Sequence, residues 1–164
     1  MVGDPAVYAR LAELGIDFDY HEHPPIPTIE LAMEQWKDLD CRHCKNLFLR
    51  NHKGNRHYLL VLDGHNQADI RSLEGMLKQG KLSFASEKRM GKYLGVRPGS
   101  VSPLGLVHDA EQHVHLYLDD SLRGAEAVGF HPNDNRATLV IAGCDLVRYV
   151  ERCGNTWEYL RLGV

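Results

Sequence analysis

Residues 45–63 constrain the fold more than any other part of the chain. Lys45-Asn-Leu-Phe-Leu-Arg-Asn51 and Arg56-His-Tyr-Leu-Leu-Val-Leu-Asp63 are two strand-forming runs joined by His52-Lys-Gly-Asn55. Gly54 and Asn55 suit a tight connection, so the segment reads as a β-hairpin. Residues 47–49 and 58–62 are continuously apolar rather than alternating. Both strands should therefore be covered on both faces, by sheet on one side and helices on the other.

The flanking segments alternate irregularly between helix and strand. Val7, Leu11 and Leu14 recur at helical spacing behind Asp4 and Pro5, a cap followed by a first-turn proline, and Gly15 stops the run. Residues 18–23 alternate like a short strand. Thr28 caps a second helix to about Leu39, carried by Ile29, Ala32, Met33 and Trp36. A helix over 70–78, a strand over 82–84 and a helix opened by Ser86 and closed by Gly95 follow. Beyond a loop at 96–105, short strands are expected at 106–108, 114–118, 127–130 and 138–142, then a helix from Cys144 to Cys153. Hairpins without a repeated βαβ unit predict an α+β fold, a curved mixed β-sheet flanked by helices. The length of 164 residues fits one domain spanning 1–164.

Composition narrows the function classes. Nineteen basic against 22 acidic residues give a formal charge of −3, the wrong sign for coating nucleic acid by bulk electrostatics. Any RNA contact must be local. Lys78, Lys81, Lys88, Arg89, Lys92 and Arg97 are set against Glu87 alone in their span, and Arg50, Lys53 and Arg56 surround the hairpin turn. Such runs form either a solvated face or a patch that steers a phosphate backbone. No run approaches the roughly 18 apolar residues of a membrane span, and the N-terminus lacks a signal peptide's pattern. A cytoplasmic, membrane-free protein is expected. Cys41, Cys44, Cys144 and Cys153 do not form a disulfide scaffold. The lone Cys41-x-x-Cys44 lacks the second ligand pair of a zinc site, and reduced, partly buried thiols are the simpler reading.

No GxSxG, P-loop, HExxH or GxGxxG motif occurs, so hydrolysis would rest on placing a water and polarising a carbonyl. Three segments suit that task. Lys45 shares its strand face with Leu47 and Leu49, so its ammonium should emerge at the sheet's end, either into solvent or as a defined point charge for one oxygen. The 95–105 loop carries Gly99-Ser100-Val101-Ser102-Pro103, stiffened by Pro98 and Pro103, and its amides are candidate donors to an oxyanion. It could equally be an ordinary surface loop. In Gly129-Phe-His-Pro-Asn-Asp-Asn135, His131, Asn133 and Asn135 could edge a pocket or cap a turn.

Taken in order, Lys45-Asn-Leu-Phe-Leu, the apolar 58–62 strand, Leu82-Ser-Phe-Ala-Ser86, Gly99-x-x-x-Pro103 and Phe130-His-Pro-Asn-Asp-Asn-Arg-Ala-Thr138 resemble the YbaK/prolyl-tRNA-synthetase-associated editing domain family over roughly residues 16–160. Within that family the pattern is similar to free-standing proteins that clear Ala-tRNA(Pro). The resemblance implies a deacylase with neither metal nor other cofactor and no covalent nucleophile. Lys45 would hold the substrate's terminal adenosine and ester. Gly99, Ser100 and Pro103 would position the carbonyl, with Asn46, Val101, Ser102, His131 and Asn135 binding substrate. The tRNA 2′-hydroxyl would assist the attacking water. The implied partners are the acceptor end of tRNA(Pro) and prolyl-tRNA synthetase, met by a monomer. A Cys-tRNA(Pro) deacylase and a non-catalytic tRNA- or synthetase-binding module are the alternatives. Relatives more often carry small or hydroxyl residues where Cys41 and Cys44 stand.

Overall fold

The computed structural model describes residues 1–25 and 28–164. In chain order the elements are α1 (Pro5–Glu13), β1 (Asp19–Glu22), α2 (Ile29–Trp36), β2 (Arg42–Arg50), β3 (His57–Asp63), α3 (Ile70–Leu77), β4 (Ser83–Phe84), α4 (Glu87–Leu94), a 3-10 turn Pro103–His108, β5 (Val114–Asp119), a second such turn Asp120–Leu122, β6 (Ala127–Phe130), β7 (Ala137–Ala142), α5 (Gly143–Cys153) and β8 (Trp157–Leu160). The strands form one mixed sheet in the order β1-β7-β6-β2-β3-β5-β8, with β4 also pairing β2. The α+β expectation holds.

Local signals set the helix ends. Asp4 accepts from the Ala6 amide with Pro5 at the first helical position, Thr28 accepts from Leu31, and Ser86 accepts from Arg89. Gly95 ends α4 in the left-handed region, φ 65°.

The central hairpin pairs Lys45 with Leu62 and Leu49 with Tyr58. One face of the sheet packs Phe48, Leu59, Val61, Leu116 and Leu118 against α1, α4 and α5. The other packs Leu49, Tyr58, Leu60 and Tyr117 against Leu73 and Leu77 of α3. Helices thus cover both faces of β3, and no second sheet does so among the described residues. β3 is buried from His57 to Leu62, whereas β2 is only half-buried at 45–47, which corrects the expectation that both strands are enclosed.

One further expectation is corrected, and one element was not anticipated. Residues 106–108 form the end of a 3-10 turn, not a strand. The Ser102 hydroxyl accepts from the Leu104 amide and Pro103 occupies the first turn, so the apolar residues behind them coil into the core. Trp157–Leu160 adds β8, which exists through parallel pairing with β5.

α4 is fixed to the sheet by a polar chain. The Arg89 guanidinium donates to the Gly54 carbonyl at 2.8 Å and lies 3.0 Å from Nε2 of buried His57, whose Nδ1 lies 2.9 Å from Nε2 of His113. Because arginine only donates, His57 Nε2 accepts and its Nδ1–H donates onward to His113, so the His57 ring is neutral. Burial first, then the neighbouring His113 ring and the charges of Arg89, Lys92 and Arg50, pushes the His57 pKa down to about 4. An unfolded histidine titrates near ~6.5, so between these values the unfolded chain binds more protons and stability falls as pH falls. The melting temperature is expected to drop by about 5 °C or more on acidification from pH ~6.5 to ~4. His57→Gln should flatten that slope, and an unchanged slope would contradict the assignment.

Candidate active site

β2 is bordered by different strands at its two ends. It runs parallel to β6 through Arg42↔Val128 and His43↔Gly129, and antiparallel to β4 through Leu49↔Phe84 and Arg50↔Ser83. Between them no described strand pairs with that edge. A cavity of about 320 Å³ occupies the gap, near the lower end of ligand-pocket sizes. Its walls are Lys45, Asn46, Leu47 and Phe48 of β2, Thr28, Ala32 and Trp36 around α2, Phe84 and Met90, Pro98, Gly99 and Val101 of the loop, and His131 after β6.

Lys45 and the glycine–proline loop therefore face one cavity. Lys45 is the fourth residue of β2, not a residue at the sheet's end. Its side chain also borders a polar hollow beside Glu30, Gly64 and His65. Asp63, one pair along the hairpin, is bridged instead by Arg42 at 3.3 Å. Gly99 has φ 86°, a left-handed backbone that favours glycine, and a Cβ there would lie 3.3 Å from Asn135 Nδ2. The Ser100 amide donates to the Arg97 carbonyl, whereas those of Gly99 and Val101 have no protein acceptor among the described residues.

The remaining expected residues are not on the cavity wall. Ser100, Ser102 and Pro103 are buried beneath the loop, where Ser102 and Pro103 start the 3-10 turn. Asn135 sits behind Gly99, and Asn133 donates to Asp4 at 3.0 Å.

His131 is held by an Nδ1–H donating to the Ala137 carbonyl at 2.7 Å, which leaves Nε2 as an acceptor. Burial lowers its pKa, and the Ala137 bond opposes that shift. Trp36 packs edge-on to His131 with ring centres 5.4 Å apart and stacks on His43 at 5.7 Å. Burial pushes the Cys41 thiol up to about 11 and raises that of Cys44 further, so both remain protonated and poorly suited to nucleophilic or ligand roles. Among the described residues no cluster of His, Cys, Asp or Glu could hold a metal ion.

Trp36, Ala32, Met90 and Phe84 were not singled out from the sequence as site residues. For Phe84 a signal existed: it is an apolar residue closing a strand pattern, and it is 63% exposed at the cavity rim. Ala32, Trp36 and Met90 read locally as ordinary inward helix positions.

The model of the aminoacyl-tRNA editing domain matches residues 23–149, a span holding every cavity-lining residue. The chain belongs to this family. The prolyl-tRNA editing protein ProX of Acetoanaerobium sticklandii is 41% identical over 161 residues, 96% of each chain. Prolyl-tRNA synthetase associated domain-containing protein 1 of Bos taurus is 34% identical over 154 residues, 92% of this chain and 90% of the bovine one. A crystal structure of a candidate trans-editing enzyme for prolyl tRNA synthetase superposes with a TM-score of 0.74 at 21% identity over 99% of both chains, which shows a shared fold. This editing domain is a deacylase that hydrolyses mischarged aminoacyl-tRNA. No described helix is long and apolar enough to cross a membrane.

Proposed function

We propose that this editing domain acts in trans on tRNA(Pro) and removes alanine. The observation that carries the reading is the joint placement of Lys45, the Gly99 and Val101 segment and His131 around one small, largely apolar cavity. The cavity opens beside α4 and the 95–105 loop, where Lys88, Lys92 and Arg97 are exposed and available to phosphates of an acceptor end.

The scissile bond is an ester between the amino acid and the terminal ribose, already activated toward water. Lys45 supplies a point charge to the adenosine end or its ester oxygen. The amides of Gly99 and Val101 donate to the carbonyl oxygen as it gains negative charge. Water adds to that carbon, the tetrahedral intermediate expels the ribose 3′-oxygen, and the leaving oxygen takes up a proton. The vicinal 2′-hydroxyl of the substrate orients the water, and His131 Nε2 is a neutral acceptor facing the same space.

Selectivity follows from size. A synthetic site built for proline discriminates weakly against smaller alanine, since missing methylenes are worth only about 1–3 kcal/mol. Walls formed by Trp36, Ala32, Met90 and Val101 would exclude the proline ring sterically. The test is deacylation of Ala-, Cys-, Ser- and Pro-charged tRNA(Pro). Alanine should be released at least about tenfold faster than cysteine or serine and about a hundredfold faster than proline. Fastest loss of cysteine would reassign the substrate, and hydrolysis of none would leave a binding module.

A further inference from the structure

The cavity is lined by four consecutive strand residues, Lys45, Asn46, Leu47 and Phe48. Successive side chains on a strand point to opposite faces, so one cavity can touch all four only by meeting the strand edge-on. The clusters agree, because Phe48 belongs to the core on one face of the sheet and Leu47 packs against the core on the other.

The direction of the main-chain groups follows from pairing. Along β2 the odd-numbered residues bond to β3, as shown by the His43 carbonyl accepting from Gly64 and the Asn51 amide donating to Arg56. The even-numbered residues point the other way, as shown by the Phe48 carbonyl accepting from Ala85. Asn46 lies midway between the β6 and β4 pairings, so both its N–H and its C=O face the cavity. No protein group among the described residues bonds to either. Its side-chain Oδ1 is also buried without a partner.

We propose that the main chain of Asn46 is a subsite for the aminoacyl group, which docks as a one-residue strand. The inference rests on the deacylase reading above. An aminoacyl ester presents a nitrogen donor, a Cα and a carbonyl acceptor, the sequence of groups that a residue offers to its partner in a hydrogen-bonded strand pair. The Asn46 carbonyl accepts from the α-ammonium, and the Asn46 N–H donates to the ester carbonyl from the strand side, opposite the Gly99 and Val101 amides. No carboxylate among the described residues lines the cavity, so the ammonium must be met by neutral acceptors, and Asn46 offers its main-chain oxygen. Such an edge is blind to the side chain, which leaves amino-acid choice to the cavity walls. It also bears on proline, because a primary ammonium rotates to aim a hydrogen at Asn46 whereas the ring fixes the direction of both prolyl N–H bonds.

The test uses two non-hydrolysable amides on the 164-residue protein, 3′-(L-alanylamino)-3′-deoxyadenosine and its 3′-propionylamino counterpart, which lacks the amine. Titration followed by amide NMR should shift the Asn46 N–H and slow its hydrogen exchange. The alanyl compound should bind at least about tenfold more tightly than the propionyl one. In deacylation assays, Asn46→Pro, which removes the N–H on an edge where no strand needs it, should fall at least about tenfold below Asn46→Ala, with both variants melting within a few degrees of each other. An unmoved Asn46 amide in a protein that binds the alanyl compound, equal affinity for the two compounds, no binding of either, or equal activities of the two variants would overturn the subsite. If wild type still releases alanine from tRNA(Pro) in those cases, the proposed function stands without it. If wild type releases nothing, the function itself has failed.

Discussion

Lys45→Ala is expected to lower kcat/KM for Ala-tRNA(Pro) by about a hundredfold or more, while the melting temperature changes by no more than about 2 °C. The two halves of that expectation have separate causes. Removing a single positioned charge or donor from a preorganised site typically costs about 10²–10³ in rate. The stability side follows from its surroundings: Lys45 is half-buried at a cavity, and Asp63, the nearby hairpin carboxylate, is bridged by Arg42 instead. Truncation deletes no ion pair among the described residues and opens space next to an existing hollow. Lys45→Arg should restore little, since a planar fork does not replace a compact ammonium in a cavity of about 320 Å³. Steady-state deacylation with parallel thermal melts checks this. Near-normal hydrolysis by Lys45→Ala would remove the lysine from the site, and a large loss of stability would recast it as a folding residue.

Gly143→Ala should be strongly destabilising, by about 3 kcal/mol. Gly143 begins α5, and its amide donates to the Glu126 carbonyl at 2.9 Å. A Cβ at this position would lie 2.0 Å from the Ala125 carbonyl oxygen, a main-chain atom that cannot rotate away. Alanine in place of glycine within a helix ordinarily favours folding by about 0.5–1 kcal/mol, so propensity and sterics compete and the clash wins. Relief requires α5 to shift. That helix buries Leu146, Tyr149 and Val150, and the Tyr149 hydroxyl donates to the Leu104 carbonyl at 2.7 Å, just behind the 99–103 loop. Activity should therefore decline along with stability. Urea unfolding gives the measurement, and a variant as stable as wild type would show that the 125–126 segment gives way freely.

Helices α1, α2 and α4 were legible because their caps are specified locally. Asp4-Pro5, Thr28, Ser86 and Gly95 end their helices where they stand in the chain, and the central hairpin closes within a few residues of Gly54. The 106–108 segment misled because a short apolar run does not distinguish a strand from a buried turn, and the Ser102 cap with Pro103 decided for the turn. β8 was missed because four residues with an exposed glutamate gain strand geometry only from β5.

The sequence by itself determined the α+β class, the hairpin carrying Lys45 and Asn46, and the stiff glycine–proline loop, since each depends on residues close in the chain. Only the tertiary structure decided that these face one cavity joined by Trp36, Phe84 and Met90. The reason is that the cavity is a split in the sheet. It exists because β2 pairs with residues 128–129 at one end and 83–84 at the other, and pairings across such separations leave no local pattern to mark which strand edge stays open.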